Sequence, residues 1–364
     1  MTAPISRRAL KLLPPCATTG IGSLPHSQLE LALQMALQVD VPYLPQLPAG
    51  NPSEFMLPSA MDGLPGLRYD GEGLCSIDLD DWKRGRESFG ASIESALSSG
   101  ELKTFEPSPQ ACRAWKPFLW EIGNRKLAFA KAQIAGPATV RWATKTSTGD
   151  IASDLPDLDK QIFRLLLAKV LAMAKAIRRS SATPIIYLDE PGLYALDRTN
   201  AQHLIALQEI KVLIMALQRE GALVGLHCCG NSDWDLLLDS GVDLLSLDVR
   251  LSLDAVLEER DALERFLASG ASFSLGIIPT NVAASFAVSE LVDSVEASLT
   301  ATLGRRRARE VILRSVLTPA CGLAMRSVVV AEQTFEQLRE AQRLLNRITE
   351  LDVGPSQPST SALN

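Results

Sequence analysis

The sequence predicts an α/β protein built as a (β/α)8 barrel, and three observations carry that expectation. Eight apolar, strand-like runs alternate for the most part with segments of helical period, the pattern of a parallel sheet with helical crossovers. The chain has 364 residues, 46% of them apolar; a single barrel routinely takes ~250 residues or more. The residues able to do chemistry (Ser23, Asp189, His227, Cys229, Asp248 and Cys321) fall at the ends of those runs, where barrel enzymes keep their active sites. A doubly wound open sheet is the competing arrangement, but no Gly-x-Gly-x-x-Gly follows the first run.

In chain order, residues 1–16 read as an N-terminal arm. Ser6-Arg7-Arg8-Ala9-Leu10-Lys11 imitates a twin-arginine export signal, yet Leu12-Leu13 runs into Pro14-Pro15 without the apolar stretch of about 7–15 residues that such a signal needs. A single barrel domain is expected over 17–353, with a disordered Pro/Ser-rich tail over 354–364. Residues 17–25 form the first strand and its glycine-containing turn. Ser27 caps a helix to about Val39, with Leu29, Leu33 and Leu37 on one face. Val41–Pro45 is the second strand. The Pro- and Gly-rich stretch 46–75 then reads as a long loop insertion, of the kind that usually serves function. Strands follow at 127–134, 184–190, 222–228, 243–248, 272–278 and 311–317. Helices are expected near 157–180, 200–219, 231–240, 253–269, 284–303 and 330–352.

Composition removes several classes of function. The net charge is -6, which gives no surface for nucleic acid. The basic run Arg305-Arg306-Arg307-Ala308-Arg309 reads as a solvated turn before a strand. No stretch approaches the ~20 uncharged apolar residues of a membrane span. The six cysteines show no regular framework, which suits a reducing compartment and predicts a cytoplasmic location.

The chemistry concentrates in Gly225-Leu226-His227-Cys228-Cys229-Gly230-Asn231. Alternate side chains of a strand share a face, so His227 and Cys229 can present an imidazole and a thiolate to one metal. Zinc takes nitrogen and sulfur ligands, about four in all. Cys321, in Thr318-Pro319-Ala320-Cys321-Gly322-Leu323, is the best third ligand, and Asp248 the next candidate. Cys228 points to the other face as a small buried apolar side chain. Trp142 reads as core, and His26 and His203 as surface or turn residues. Asp189-Glu190-Pro191 offers two acids at a strand end; the plain alternative is that they end the strand and cap a turn.

Taken together, Thr19-Gly20-Ile21-Gly22-Ser23-Leu24-Pro25, Gly136-Pro137-Ala138-Thr139-Val140-Arg141-Trp142, Leu188-Asp189-Glu190-Pro191, His227-Cys228-Cys229 and Cys321-Gly322-Leu323 resemble one family. It is the C-terminal catalytic domain of cobalamin-independent methionine synthase, within the uroporphyrinogen decarboxylase-like barrel superfamily. The likeness covers most of residues 17–330. It implies zinc-dependent transfer of a methyl group to a thiol, homocysteine, with His227, Cys229 and Cys321 as zinc ligands. It further implies that Asp189 holds the substrate amine, and that Ile21, Gly22 and Ser23 meet its carboxylate. Asp189 and His227 are thereby the expected catalytic residues. The family's further ligand is a glutamate after the next strand; the acid here is Asp248, one methylene shorter. Glu72 is the candidate for a second substrate-binding glutamate.

The duplicated N-terminal half of the full-length enzymes is not part of this sequence, so the expected methyl donor is either methylfolate or a separate methyl-corrinoid protein. His-x-Cys-Gly-Asn also resembles the corrinoid-dependent thiol methyltransferases of the superfamily. Two further readings compete. A uroporphyrinogen decarboxylase-like activity would need no His-x-Cys and Cys site. A non-catalytic zinc module would be expected to show four strong, closely spaced ligands.

Overall fold

The computed structural model describes residues 9–280 and 286–351. Arg7 and Arg8 of the expected arm, the start of the helix expected from 284, and the tail 354–364 lie outside the described residues. The first helix that lies wholly within the described residues is α1 (Leu29–Ala36). The stretch 46–75, expected as a long loop, is only partly irregular: it holds α2 (Met56–Met61) and most of a hairpin of β1 (Leu67–Tyr69) and β2 (Cys75–Ile77), and α3 (Leu79–Ser99) follows it. Asp78 caps α3 by accepting from the N–H groups of Asp80 and Asp81, and Gly100 ends it with φ 76°. With mostly polar residues and a 21-residue span, α3 carries too thin an apolar stripe to announce itself before its middle.

The chain continues through α4 (Trp115–Asn124), β3 (Phe129–Ala135), α5 (Pro137–Ala143), β4 (Lys145–Thr146), α6 (Pro156–Arg179), β5 (Thr183–Asp189), α7 (Ala201–Arg219) and β6 (Leu223–Cys228). It ends with α8 (Trp234–Leu238), β7 (Leu244–Asp248), α9 (Val249–Glu258), α10 (Arg260–Ala268), β8 (Ser272–Ile278), α11 (Val288–Leu303), α12 (Arg305–Arg314), β9 (Val316–Pro319) and α13 (Val328–Leu351). Helix α6 has proline at its start, Asp157 and Asp159 in its first turn and Arg178 and Arg179 in its last, the charge order that the helix dipole favours. Among the described residues no helix is long and apolar enough to cross a membrane.

The main sheet is parallel and curled, with six strands in the order β3-β5-β6-β7-β8-β9. A second sheet, β1-β2-β4, lies apart from it. The first two expected strands, 17–25 and 41–45, are not regular strands. They make isolated parallel bridges instead: Thr18 to Leu317 in β9, Ser23 to Gln46, and Tyr43 to Lys131 in β3. Proline explains the broken ladder, since Pro42 and Pro45 have no N–H to donate. Six regular strands therefore replace the eight expected.

Three further expectations are corrected. The basic run opens a helix, α12, rather than a turn. The apolar run 311–317 is split between Val311 and Ile312, buried on α12, and β9. The expected helix over 253–269 is two helices, α9 and α10. At the N-terminal end of the sheet, Leu10 is buried with Ala17, Val41, Phe129, Ile185, Leu223, Leu244 and Val316, and Ala9 and Leu13 pack on them. The described part of the arm thus covers the bottom of the curl, and chemistry is left to the other end.

Candidate metal centre

β5, β6 and β7 end side by side, with Asp189 paired to His227 and His227 to Ser246. Side chains at paired positions share a face, so Asp189, His227 and Ser246 all point inside the curl. Cys228 faces the other way and is fully buried in the outer core. Cys229 lies one residue beyond β6 and turns back inward.

Cys321 arrives from the far edge of the sheet. The β8–β9 register shifts between Gly276 and Ile278, and the Ala320 N–H donates to the Ile278 carbonyl at 2.8 Å. A side chain at Gly276 would stand 2.7 Å from the Leu247 carbonyl oxygen and 2.8 Å from the Ala320 backbone. Glycine there lets the turn carrying Cys321 come close. The Leu323 N–H donates to the Ser23 carbonyl at 3.0 Å, which ties the same turn to the segment 17–25.

The ligand atoms of His227, Cys229 and Cys321 lie within 4.8 Å of one another, and no other group of three or more metal-binding side chains occurs among the described residues. His227 Nδ1 is 2.9 Å from Ser246 Oγ. Its Nε2 is buried with no hydrogen-bond partner. One nitrogen and two sulfurs form the donor set of an open zinc site, and a ligating imidazole is normally steered by a hydrogen bond at its other nitrogen. The residues present therefore fit zinc. The Cys321 thiol is pulled down to about 4, chiefly by a hydrogen bond from Cys229 and then by His227. The Cys229 thiol is pushed up, first by that same hydrogen bond and then by burial. The thiolate is the form that binds metals.

The group opens on a pocket of about 300 Å³ lined by Ile21, Ser23, Gln46, Glu54, Asp189, Pro191 and Met325 among others. Asp189 is 8% exposed and its Oδ1 has no partner. Burial pushes its carboxyl up to about 6, against the pull of His227 and Lys131. Glu190 turns outward: its carboxylate accepts from the N–H groups of Ala138 (3.0 Å) and Thr139 (2.7 Å) and from the Thr139 hydroxyl (2.7 Å). The two acids therefore divide, Glu190 capping α5 and Asp189 facing the pocket.

Other expected residues are placed differently. Asp248 stands outside the three-residue group. It caps α9 by accepting from the Arg250 N–H at 2.9 Å, and burial raises its carboxyl. Glu72 is exposed in the β1–β2 turn and is not brought to the pocket. His26, expected at the surface, is buried. Trp142 is half-buried and lies 4.3 Å from the His203 ring.

Sequence reasoning missed Glu54, a pocket residue 1% exposed that accepts from the Leu47 N–H and the Arg113 guanidinium. The turn signal Asn51-Pro52-Ser53-Glu54 was its one trace. It also missed Ser246 and Lys131, which carry no motif.

No protein-family profile and no curated protein sequence matches the chain. Among solved structures, the chain is similar to a methyltransferase from Methanosarcina mazei, with a TM-score of 0.53 and 16% identity over 95% of this chain and 100% of that one. It is also similar to a B12-independent methionine synthase from Shewanella sp. W3-18-1 in complex with selenomethionine, with a TM-score of 0.46 and 14% identity over 64% of this chain and 68% of that one. What the chain shares with the Methanosarcina protein is a methyltransferase-like fold.

Proposed function

We propose that this chain is a zinc-dependent methyltransferase acting on a thiol, with homocysteine as the acceptor and methionine as the product. The observation that carries the reading is the cluster of His227, Cys229 and Cys321, three inward ligand atoms within 4.8 Å at the floor of a pocket. Zinc, when bound, would deprotonate a substrate thiol, whose pKa is otherwise near ~8.5, while leaving the sulfur nucleophilic. His227 would donate its Nδ1–H to Ser246 and turn Nε2 toward the metal. Asp189 would take the substrate ammonium, and the backbone of Ile21, Gly22 and Ser23 its carboxylate. The S–CH3 bond forms as the donor's bond to the methyl carbon breaks, and the donor keeps the electron pair. Either methylfolate or a methyl-corrinoid protein can supply that methyl group.

We read the bridges at Thr18, Ser23 and Tyr43 as closing the six-stranded sheet into an eight-membered ring, with the site at its C-terminal mouth. A site built on free thiolates belongs in a reducing compartment, which supports a cytoplasmic location.

The test is metal analysis together with methyl transfer. Protein purified without chelator should hold close to one zinc per chain. It should methylate homocysteine from one of the two donors. Zinc-edge X-ray absorption should count two sulfurs at rest and three with homocysteine, since an arriving thiolate displaces an oxygen ligand from a four-coordinate metal. A shell unchanged by homocysteine would refute thiol activation. In Asp248→Ala, an altered resting oxygen shell would make Asp248 the fourth ligand; an unchanged one would make it water.

A further inference from the structure

Lys131 is buried to 1% exposure inside the curl, on a strand where an apolar residue of the same length would cost far less to bury. Its Nζ donates to the Ile21 carbonyl at 2.6 Å and to Gln133 Oε1 at 3.0 Å, and lies 4.6 Å from the centre of the Tyr187 ring. Gly225 makes room for that ring, because a side chain there would strike it. Gln133 in turn donates to the Leu44 carbonyl at 2.9 Å and to Gln46 Oε1 at 3.1 Å. These two side chains of β3 therefore hold the two barrel segments whose own ladders are interrupted.

The segment held by Lys131 is Ile21-Gly22-Ser23. Gly22 has φ +152°, and any side chain there would collide with Gln133. Among the described residues the N–H groups of Gly22 and Ser23 have no acceptor, while Ile21 and Ser23 line the pocket. A backbone N–H left without an acceptor at a pocket edge is a donor open to an anionic group of a ligand. A carbonyl that accepts from an ammonium polarises its own peptide, which makes the next N–H, that of Gly22, a stronger donor.

We propose that Lys131 is the positioning residue of a carboxylate subsite: it sets the Ile21-Gly22-Ser23 backbone and places a fixed positive charge behind it, selecting thiols that carry a carboxylate. The inference rests on the thiol-methyltransferase reading and deepens it. Burial lowers the Lys131 ammonium to about 8, with Asp189 opposing. A filler lysine would have no reason to hold the backbone of the pocket edge, and its loss would weaken all ligands alike.

The test compares the binding of homocysteine with that of 3-aminopropane-1-thiol, which keeps the thiol and the amine at the same spacing and lacks the carboxylate. In zinc-loaded Lys131→Met, homocysteine affinity should fall at least about tenfold, the scale of one hydrogen bond to a charged group, with the amino thiol changed much less. Lys131→Gln keeps a donor near the Ile21 carbonyl without the charge, and should show the same loss of preference if the Met variant does not fold. Asp189→Asn should show the converse pattern. A lysine variant that holds zinc and still prefers homocysteine as the parent chain does overturns the role of Lys131. A parent chain with no preference for homocysteine overturns the function it rests on instead.

Discussion

Cys321→Ala should abolish methyl transfer and strip the metal while the chain stays folded. Cys321 is half-buried on a turn beyond β9, outside the packed strand interior, so its loss removes little apolar contact. What it removes is one of two sulfurs. A homocysteine thiol with no metal to activate it is only a few per cent thiolate at pH 7, a loss of roughly 30-fold. Misplacement of the reacting sulfur can cost another ~10²-fold. The combined fall is on the order of 10³-fold in kcat/KM. Elemental analysis should show zinc well below one per chain, and a cooperative melt should show the fold intact. Full zinc occupancy in the variant would remove Cys321 from the ligand set.

Asp189→Asn should act on substrate binding and spare the metal. Asp189 lines the pocket next to His227, and its Oδ1 has no partner. A carboxylate there can take a substrate ammonium in a charge-assisted hydrogen bond worth roughly 1.5–3 kcal/mol. Asparagine keeps the shape and loses the charge. KM for homocysteine should rise by about one to two decades, at 1.4 kcal/mol per decade. A thiol without an amine, such as 4-mercaptobutanoate, should be affected far less. Equal losses for both acceptors would disprove the amine-holding role.

The parts of the fold that were legible were those where one physical signal dominates. β5 to β8 are short apolar runs buried on both faces, and β8 lies where its composition put it, Ser272–Ile278. His227, Cys229 and Cys321 could be named because their side chains have few other uses at strand ends. The illegible parts are those where two signals compete. Pro42 and Pro45 break a ladder whose apolar content still reads as strand. Val311 and Ile312 are β-branched, yet they face inward from a helix that Gly304 and three arginines begin. Lys131 and Glu54 were invisible because a charged residue alone in sequence reads as solvated. Only the assembled interior shows Lys131 on the Ile21 carbonyl and Glu54 against Arg113.

The bridge between Thr18 and Leu317 also orders events in time. Residues near the two ends of the chain meet there, the Thr19 N–H donating to the Leu317 carbonyl and the Leu317 N–H to Ala17. Contacts between such distant residues are slow to form, because the chain must close a very long loop before they are rewarded. A growing chain that has emerged only as far as residue 315 possesses β3 to β8, His227, Cys229 and Asp189. It has neither Cys321 nor β9, the strand that bridges to Thr18. The site is therefore absent from every shorter nascent form, and metal capture by all three ligands waits for the last strand to be made.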